Sequence, residues 1–389
     1  MMPIKKILIV GNGNWGSTVY DLLTSPERHP EGVPDRDVKI YGPEMDGKKI
    51  LTYGTGVAKW PDSALRDCED ADLIIFAVAS KFMRDTVRAF AQYNPRHDTV
   101  LLNLAKGIVY DPDEKEIYLM HEILRDEFPE HKNIASLAGA NIAREVRHKP
   151  PRLTTTKIAT LKKDSKFHKT LNELFSVEMF SVRQDPSEDI LSLELGSAMK
   201  NPIAFGSGVI HGYYEEEARQ AGSDNPKRDS MMCNVIGDYI DVASQEGEYI
   251  FHMISGVKGM RRRIPYSVLG DLITTSISDN SRNFRAGYMR GVAQQKGEKK
   301  SIEEICQEIG QAVESVTTVN SLKDYFEHNG WQDRFIIFNN IYLIMHDLIK
   351  FQDAAQTLAQ GHPRVSRLQA MMEARAHRNH TRQIKKEKQ

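Results

Sequence analysis

The sequence predicts an α/β first half, built on a doubly wound parallel sheet, followed by an all-α second half. Three observations carry that expectation. Short apolar runs alternate with helical patterns over roughly the first 190 residues. Strand-like runs then stop near Asp189 and long helical periods replace them. The length of 389 residues exceeds one ordinary core and suits two domains.

The elements follow in chain order. IKKILIV (4–10) reads as a strand and STVYDLL (17–23) opens a helix. DVKIYG (37–42), DLIIFAVA (72–79), TVLLNL (99–104) and NIASLAG (133–139) read as further strands. Each is short, apolar and bounded by polar or glycine residues, as strands buried on both faces of a parallel sheet are. KFMRDTVRAFAQY (81–93) and EKEIYLMHEILRDEF (114–128) read as helices between them. This βαβ alternation argues for a doubly wound sheet. Beyond Asp189 come ILSLELGSAMKNPIAFGSGVIHGYY (190–214), MMCNVIGDYIDVASQEGEYI (231–250), IEEICQEIGQAVESV (302–316) and FIIFNNIYLIMHDLI (335–349), all helical. The division falls at 1–190 and 191–389, with a continuous helix at the boundary.

Composition excludes several classes of protein. The net charge is −1, from 52 Lys and Arg against 53 Asp and Glu, so no global basic field draws the chain to nucleic acid or membrane. Cys68, Cys233 and Cys306 lie far apart, which suits neither a disulfide framework nor a CxxC metal site. The histidines show no zinc spacing, and His377 and His380 read as surface residues, so no metal is expected. The amino-terminus reads as a short strand rather than a signal peptide, and no apolar run approaches the ~18 residues of a membrane span. A cytoplasmic protein is expected. The tail from Arg375 onward is basic and reads as a solvated, frayed helix end.

GNGNWGS (11–17) stands between the first strand and the first helix. In a GxGxxG turn the first glycine permits the tight turn, the second admits a pyrophosphate and the third packs helix on strand. Gly11, Gly13 and Gly16 fit those roles, and the helix amino-terminus adds free N–H groups and a positive dipole. A Rossmann-type dinucleotide site is expected. Glu44 follows the second strand, further from the glycines than usual, with Asp46, Lys48 and Lys49 beyond it. An acidic residue there selects a free ribose 2′-hydroxyl. NAD is therefore favoured, with NADP left open.

The chemistry sits elsewhere. ELGSAMKNPIAFGSG (194–208) is rich in small residues, which admit a close neighbour, yet carries Lys200 and Asn201. Lysine is rarely buried without a partner or a task. Lys106 follows the strand TVLLNLA, at the edge where open α/β sheets bind ligands. Two converging lysines would lower a pKa toward neutrality, as a lysine general acid requires. GDLITTSISDNSRNFRAG (270–287) supplies Asp271, Thr274 and Thr275, then Arg282 and Asn283, an arginine fork beside an amide that suits phosphate.

Taken in order, GNGNWGS (11–17), NLAKG (103–107), GANIAREV (139–146), LELGSAMKNPIAFGSG (193–208), SDNPKR (223–228), GDLITT (270–275) and SRNF (281–284) resemble the NAD-dependent glycerol-3-phosphate dehydrogenase family over about residues 4–350. The resemblance implies that Lys200 protonates the substrate carbonyl, that Lys106 assists electrostatically and that Asp271 and Thr275 orient both substrate and Lys200. It places the substrate on Lys106, Lys200, Arg282 and Asn283. It places Gly11, Asn12, Gly13, Asn14, Trp15, Gly16, Tyr41, Phe82, Lys106, Ala143, Arg282 and Glu314 around NAD. The implied reaction is reversible reduction of dihydroxyacetone phosphate to sn-glycerol 3-phosphate, with no nucleic-acid or membrane partner and a homodimer expected from the apolar helices.

The chain also departs from the family. Residues 44–64 are short and lack the usual tyrosine-leucine-proline-glycine run, and Ala79 replaces a proline. Six residues, SISDNS, separate Thr275 from Arg282, and MRRRIPY (260–266) adds a basic run nearby, read as a solvated turn. These differences keep open another small phosphorylated or phosphonate ketone as substrate. A non-catalytic cofactor-binding regulator is the remaining alternative; its mark would be loss of the lysine pair.

Overall fold

The computed structural model describes residues 4–43, 59–162, 165–183, 189–230, 233–255 and 266–359. Glu44, Asp46, Lys48 and Lys49, most of the 260–266 run and the basic tail lie outside these residues. The described strands are β1 (Lys6–Val10), β2 (Asp37–Tyr41), β3 (Leu73–Phe76), β4 (Val100–Asn103), β5 (Ile108–Asp111), β6 (Glu116–Leu119), β7 (Ile134–Ala138), β8 (Thr154–Thr160) and β9 (Phe180–Arg183). The sheet-side helices are α1 (Asn14–Thr24), α2 (Asp62–Asp70), α3 (Met83–Ala91), α4 (Met120–Glu127), α5 (Ala143–Val146) and α6 (Ser165–Phe175). The helical half comprises α7 (Ile190–Gln220), α8 (Pro226–Asp229), α9 (Cys233–Ser255), α10 (Tyr266–Ile277), α11 (Arg282–Lys296), α12 (Ile302–Ile309), α13 (Glu314–Asn329), α14 (Ile336–Met345) and α15 (Phe351–Ala359).

Seven strands make one sheet in the order β2-β1-β3-β4-β7-β8-β9. Strand side chains alternate between faces, so each strand feeds two cores. Leu8, Val10, Ile74, Phe76 and Leu101 join the α2–α3–α4 layer. Ile7, Ile9, Leu73, Ile75 and Leu102 meet Val19 and Leu23 of α1 and Phe167 and Leu171 of α6. The doubly wound α/β expectation holds, with two amendments. First, β8 and β9 extend the sheet, and β8 runs antiparallel to β7. The β7–β8 connection carries only the four-residue α5, not the crossover helix a parallel return usually needs.

Second, 114–128 is not one helix. Glu116–Leu119 is β6, paired antiparallel with β5, and the helix starts only at Met120. The turn explains the difference. The Asp111 carboxylate accepts the N–H groups of Asp113 (3.0 Å) and Glu114 (3.1 Å), and Lys115 sits at φ +58°. An acidic side chain that binds its own turn closes a hairpin. Ile108, Ile117 and Leu119 of this hairpin are buried with the core of the helical half.

The helix expected at the boundary begins at Ile190, where Asp189 caps it by accepting the Ser192 N–H at 2.9 Å. Every residue from Ser192 to Ile210 is buried. α7 is therefore the axle of the molecule: Leu193 packs into the sheet-side core, Leu195 and Met199 into the helical core. Its small residues admit α11 almost backbone to backbone. A Cβ on Gly287 would lie 1.8 Å from the Phe205 carbonyl, and one on Gly208 2.1 Å from that of Phe284. The 302–316 pattern is broken where Gly310, at φ +68°, ends α12, and α13 starts afresh at Glu314.

Candidate active site

The glycine turn leaves β1 at the carboxyl edge of the sheet. Gly11 adopts φ +111°, where a Cβ would meet the Ala77 carbonyl at 2.7 Å, and its N–H donates to the Tyr41 carbonyl at 2.8 Å. A Cβ on Gly16 would come within 1.8 Å of the Gly11 carbonyl. Gly13, the residue that caps α1, has open space instead, and no side chain caps that helix. First-turn N–H groups thus remain for an anion. Trp15 packs against the small cluster of Leu22, Val146 and Phe180, so its bulk lies beside the turn rather than in it.

Opposite this turn, three elements bring together residues far apart in sequence. Lys200 of α7 is 5% exposed and ion-pairs with Asp271 Oδ1 of α10. It also donates to Thr275 Oγ1 at 3.2 Å, and that hydroxyl donates to Asp271 Oδ1 at 3.2 Å. Asp271 and Thr275 are one turn apart on α10 and so share a face. Lys106, on the turn after β4, reaches Asp271 Oδ2 at 3.3 Å and donates to the Gly139 carbonyl at 2.9 Å. One buried carboxylate therefore sits between two ammonium groups.

Burial is the main reason that the Lys200 ammonium is lowered to about 7; Asp271 raises it and Lys106 lowers it further. Lysine–lysine repulsion, the cause expected from the sequence, is real but smaller than desolvation. Burial alone would raise Asp271, but Lys106 and Lys200 outweigh it and hold its carboxyl below the usual range.

Ser281 caps α11 by accepting the Phe284 N–H at 3.3 Å, which places Arg282 and Asn283 at the helix start. The Arg282 guanidinium donates to the Ala312 carbonyl at 3.0 Å, and burial lowers its pKa while Glu314 raises it. Asn283 Nδ2 donates to Asn201 Oδ1 at 2.9 Å, and Asn283 Oδ1 accepts the Ser315 N–H at 2.9 Å. Glu314 accepts from Ser80, with Oγ at 2.5 Å and N–H at 3.4 Å, and Asn14 donates to Gln311 at 3.0 Å. The 310–314 turn thus spans from the helical half to the glycine turn.

These groups line one cleft of about 620 Å³. It collects Gly13, Asn14, Trp15, Lys106, Ala143, Lys200, Asp271, Thr275, Arg282, Asn283 and Glu314 from the sequence-expected set, and Ala79 stands on its wall. Gly11, Asn12, Gly16, Tyr41 and Phe82 are off the lining; Tyr41 gives its hydroxyl to Asp67 at 2.8 Å. Sequence reasoning missed Asn141, Arg144, Arg147 and Arg285, which also face the cleft. Arg285 had a local signal, since it lies one helical turn after Arg282 on the same face. Among the described residues no carboxylate stands within ion-pair distance of Arg285, and its Nε is buried without a hydrogen bond. No group of three His, Cys, Asp or Glu that could hold a metal occurs among the described residues.

Comparison with known proteins shows the family. Residues 55–165 match the family model described as NAD-dependent glycerol-3-phosphate dehydrogenase N-terminus, and 189–356 match the corresponding C-terminus. A glycerol-3-phosphate dehydrogenase [NAD(P)+] of Acholeplasma laidlawii is 30% identical over 356 residues, covering 86% of this chain and 94% of the relative. The chain belongs to the NAD-dependent glycerol-3-phosphate dehydrogenase family. A relative of the same name from Syntrophotalea carbinolica is 27% identical, covering 90% of this chain and 96% of its own length. The fold of this dehydrogenase family recurs in two solved structures described as glycerol-3-phosphate dehydrogenase. That of Coxiella burnetii superposes with a TM-score of 0.68 at 21% identity, covering 92% of this chain and 99% of the other. That of Plasmodium falciparum gives 0.66 at 18%, covering 91% and 95%.

Proposed function

We propose that the chain catalyses the reversible reduction of dihydroxyacetone phosphate to sn-glycerol 3-phosphate with a nicotinamide cofactor, NADH before NADPH. The observation that carries the reading is the Lys106–Asp271–Lys200–Thr275 cluster, set across the cleft from an uncapped glycine turn. The open space at Gly13 and the unpartnered first-turn N–H groups of α1 suit a pyrophosphate. When bound, the cofactor supplies the hydride.

The remaining steps belong to this chain's residues. Lys200, charged below about pH 7, gives its proton to the developing alkoxide and becomes a neutral amine. Burial, which disfavours its charge, makes that transfer easy. Asp271 holds Lys200 in place and Thr275 fixes its direction. Lys106, held against Asp271, assists electrostatically beside the reacting oxygen. Arg282 and the second Nδ2 hydrogen of Asn283 take the substrate phosphate, with Arg285 adding a charge from the same helix face. Holding the phosphate orients the carbonyl at Lys200.

The division into a cofactor half (1–190) and a substrate half (191–389) is part of this reading, as are a homodimer and a cytoplasmic location. Among the described residues no helix is long and apolar enough to cross a membrane. Oxidation of NADH and of NADPH is measured separately with dihydroxyacetone phosphate. Turnover with NADH at the higher kcat/KM is expected, and absence of turnover with both would overturn the reading.

A further inference from the structure

Among the buried acids that lie outside the cleft and have no part in the steps above, one reaches from the helical half into the sheet-side half. Glu194 of α7 is 3% exposed. Its Oε1 accepts from Ser136 Oγ at the middle of β7 and from Asn103 Nδ2 at the end of β4, the latter at 3.2 Å. Both of its oxygens accept the His121 N–H, at 3.1 and 3.2 Å, and Oε2 meets His121 Nδ1 at 2.8 Å. A carboxylate with this many donors is fully satisfied and fixed in place. Those donors come from β4, β7 and the first turn of α4, so Glu194 joins α7 to three elements of the sheet-side half.

Asn103 connects this joint to the chemistry. Its Oδ1 accepts the Ala105 N–H at 2.8 Å and its Nδ2 donates to the Ala105 carbonyl at 3.1 Å. It therefore shapes the turn that presents Lys106. The far side of that turn is tied to α7 as well, since Asn201 Nδ2 donates to the Lys106 carbonyl at 2.9 Å. Glu194 and Asn201 stand two turns apart on one face of α7, about 10 Å along its axis. The Lys106 turn is thus sewn to the Lys200 helix at two points, before and after the lysine.

We propose that Glu194 is a positioning residue for the reaction: through Asn103 it fixes the Lys106 turn against α7 and so sets the Lys106–Asp271–Lys200 spacing. The proposal rests on the roles given above to Lys106 and Lys200. A carboxylate suits the position because all of its neighbours donate. An amide in its place would turn an NH2 toward those donors and leave at least one unpaired.

The test compares wild-type enzyme with Glu194→Gln, Glu194→Asp and Ser136→Ala. It reads kcat and KM for dihydroxyacetone phosphate, the pH midpoint of kcat, cofactor Kd by fluorescence and the melting temperature. Inactive wild-type enzyme would remove the underlying reading; the following outcomes judge the positioning role alone. For Glu194→Gln, kcat is expected to fall by up to ~10²-fold, the scale of an ångström-sized misplacement. The pH midpoint should move with it while cofactor Kd stays within about twofold. Glu194→Asp keeps the charge but falls a methylene short, and Ser136→Ala removes one donor, so smaller losses in the same sense are expected from both. They answer the question if Glu194→Gln does not fold. A folded Glu194→Asp enzyme with kcat and pH midpoint unchanged, and only a lower melting temperature, would overturn the proposal.

Discussion

The two sides of the cleft are built in opposite ways. On the sheet side, Gly11, Gly13 and Gly16 form a binding turn from one short stretch, and what matters is backbone and the lack of side chains. Across the cleft, Lys106, Lys200, Asp271 and Thr275 come from three distant segments, the β4 turn, α7 and α10, and meet through charged and polar side chains. The first is a local device, set by what each φ and each close contact permits. The second exists only once α7, α10 and the β4 turn are packed. Damage on one side should therefore spare the other.

Lys200→Ala tests this separation with the largest effect. It removes the proton donor, so kcat should fall by ~10²–10⁴. Cofactor titration should remain normal, because the polar partners of Lys200 are Asp271 and Thr275 of α10 and not the glycine turn. Near-normal turnover in steady-state assays would remove Lys200 from the reaction; lost cofactor binding would break the separation.

Gly16→Ala is the converse. Its Cβ would lie 1.8 Å from the Gly11 carbonyl, and the obstacle is backbone, which cannot swing aside. Overpacking of this kind costs about 1–3 kcal/mol, so cofactor Kd should rise by roughly 5- to 150-fold. With saturating cofactor, kcat should recover toward wild type. A kcat that stays low at saturation would mean that the turn also places the reacting groups.

The pH profile sharpens the lysine side. The reducing direction needs charged Lys200, whose pKa is lowered to about 7, so kcat should fall tenfold per pH unit above that point. The oxidising direction needs the neutral amine and should rise through the same midpoint. Asp271 raises the Lys200 pKa and Lys106 lowers it. Asp271→Asn should therefore move the midpoint down and Lys106→Met should move it up. Initial rates over pH 5–9 in both directions check the signs.

The same contrast explains what was legible in the sequence. The glycine turn could be read from spacing and flanking elements because everything it needs is local. Lys200 stood out as a lysine in a run of small and apolar residues, but its tie to Asp271 and Thr275 came only through the family resemblance. Composition hid the rest. Glu194 differs in no way, as a letter, from a glutamate on a solvated helix face; only burial with four donor groups distinguishes it. Glu116–Leu119 carried a helix-like pattern that an aspartate turn converts to a strand. Thr154–Thr160 is a strand of mixed polarity with little apolar signal, and the connection that leads into its antiparallel course carries only the four-residue α5.

Glu314 gives the smallest expected effect and the finest test, because it bridges the two sides. It accepts from Ser80 beside the sheet and raises the pKa of Arg282 in the helical half. Glu314→Gln keeps an acceptor for Ser80 and removes the charge that competes with substrate phosphate for Arg282. KM for dihydroxyacetone phosphate should fall, by no more than about fivefold, the scale of a charge interaction that solvent screens. kcat should not change. A higher KM would mean that Glu314 orients Arg282 rather than competing for it. The two sides would then be coupled through this carboxylate, and the cleft would have to be treated as one device.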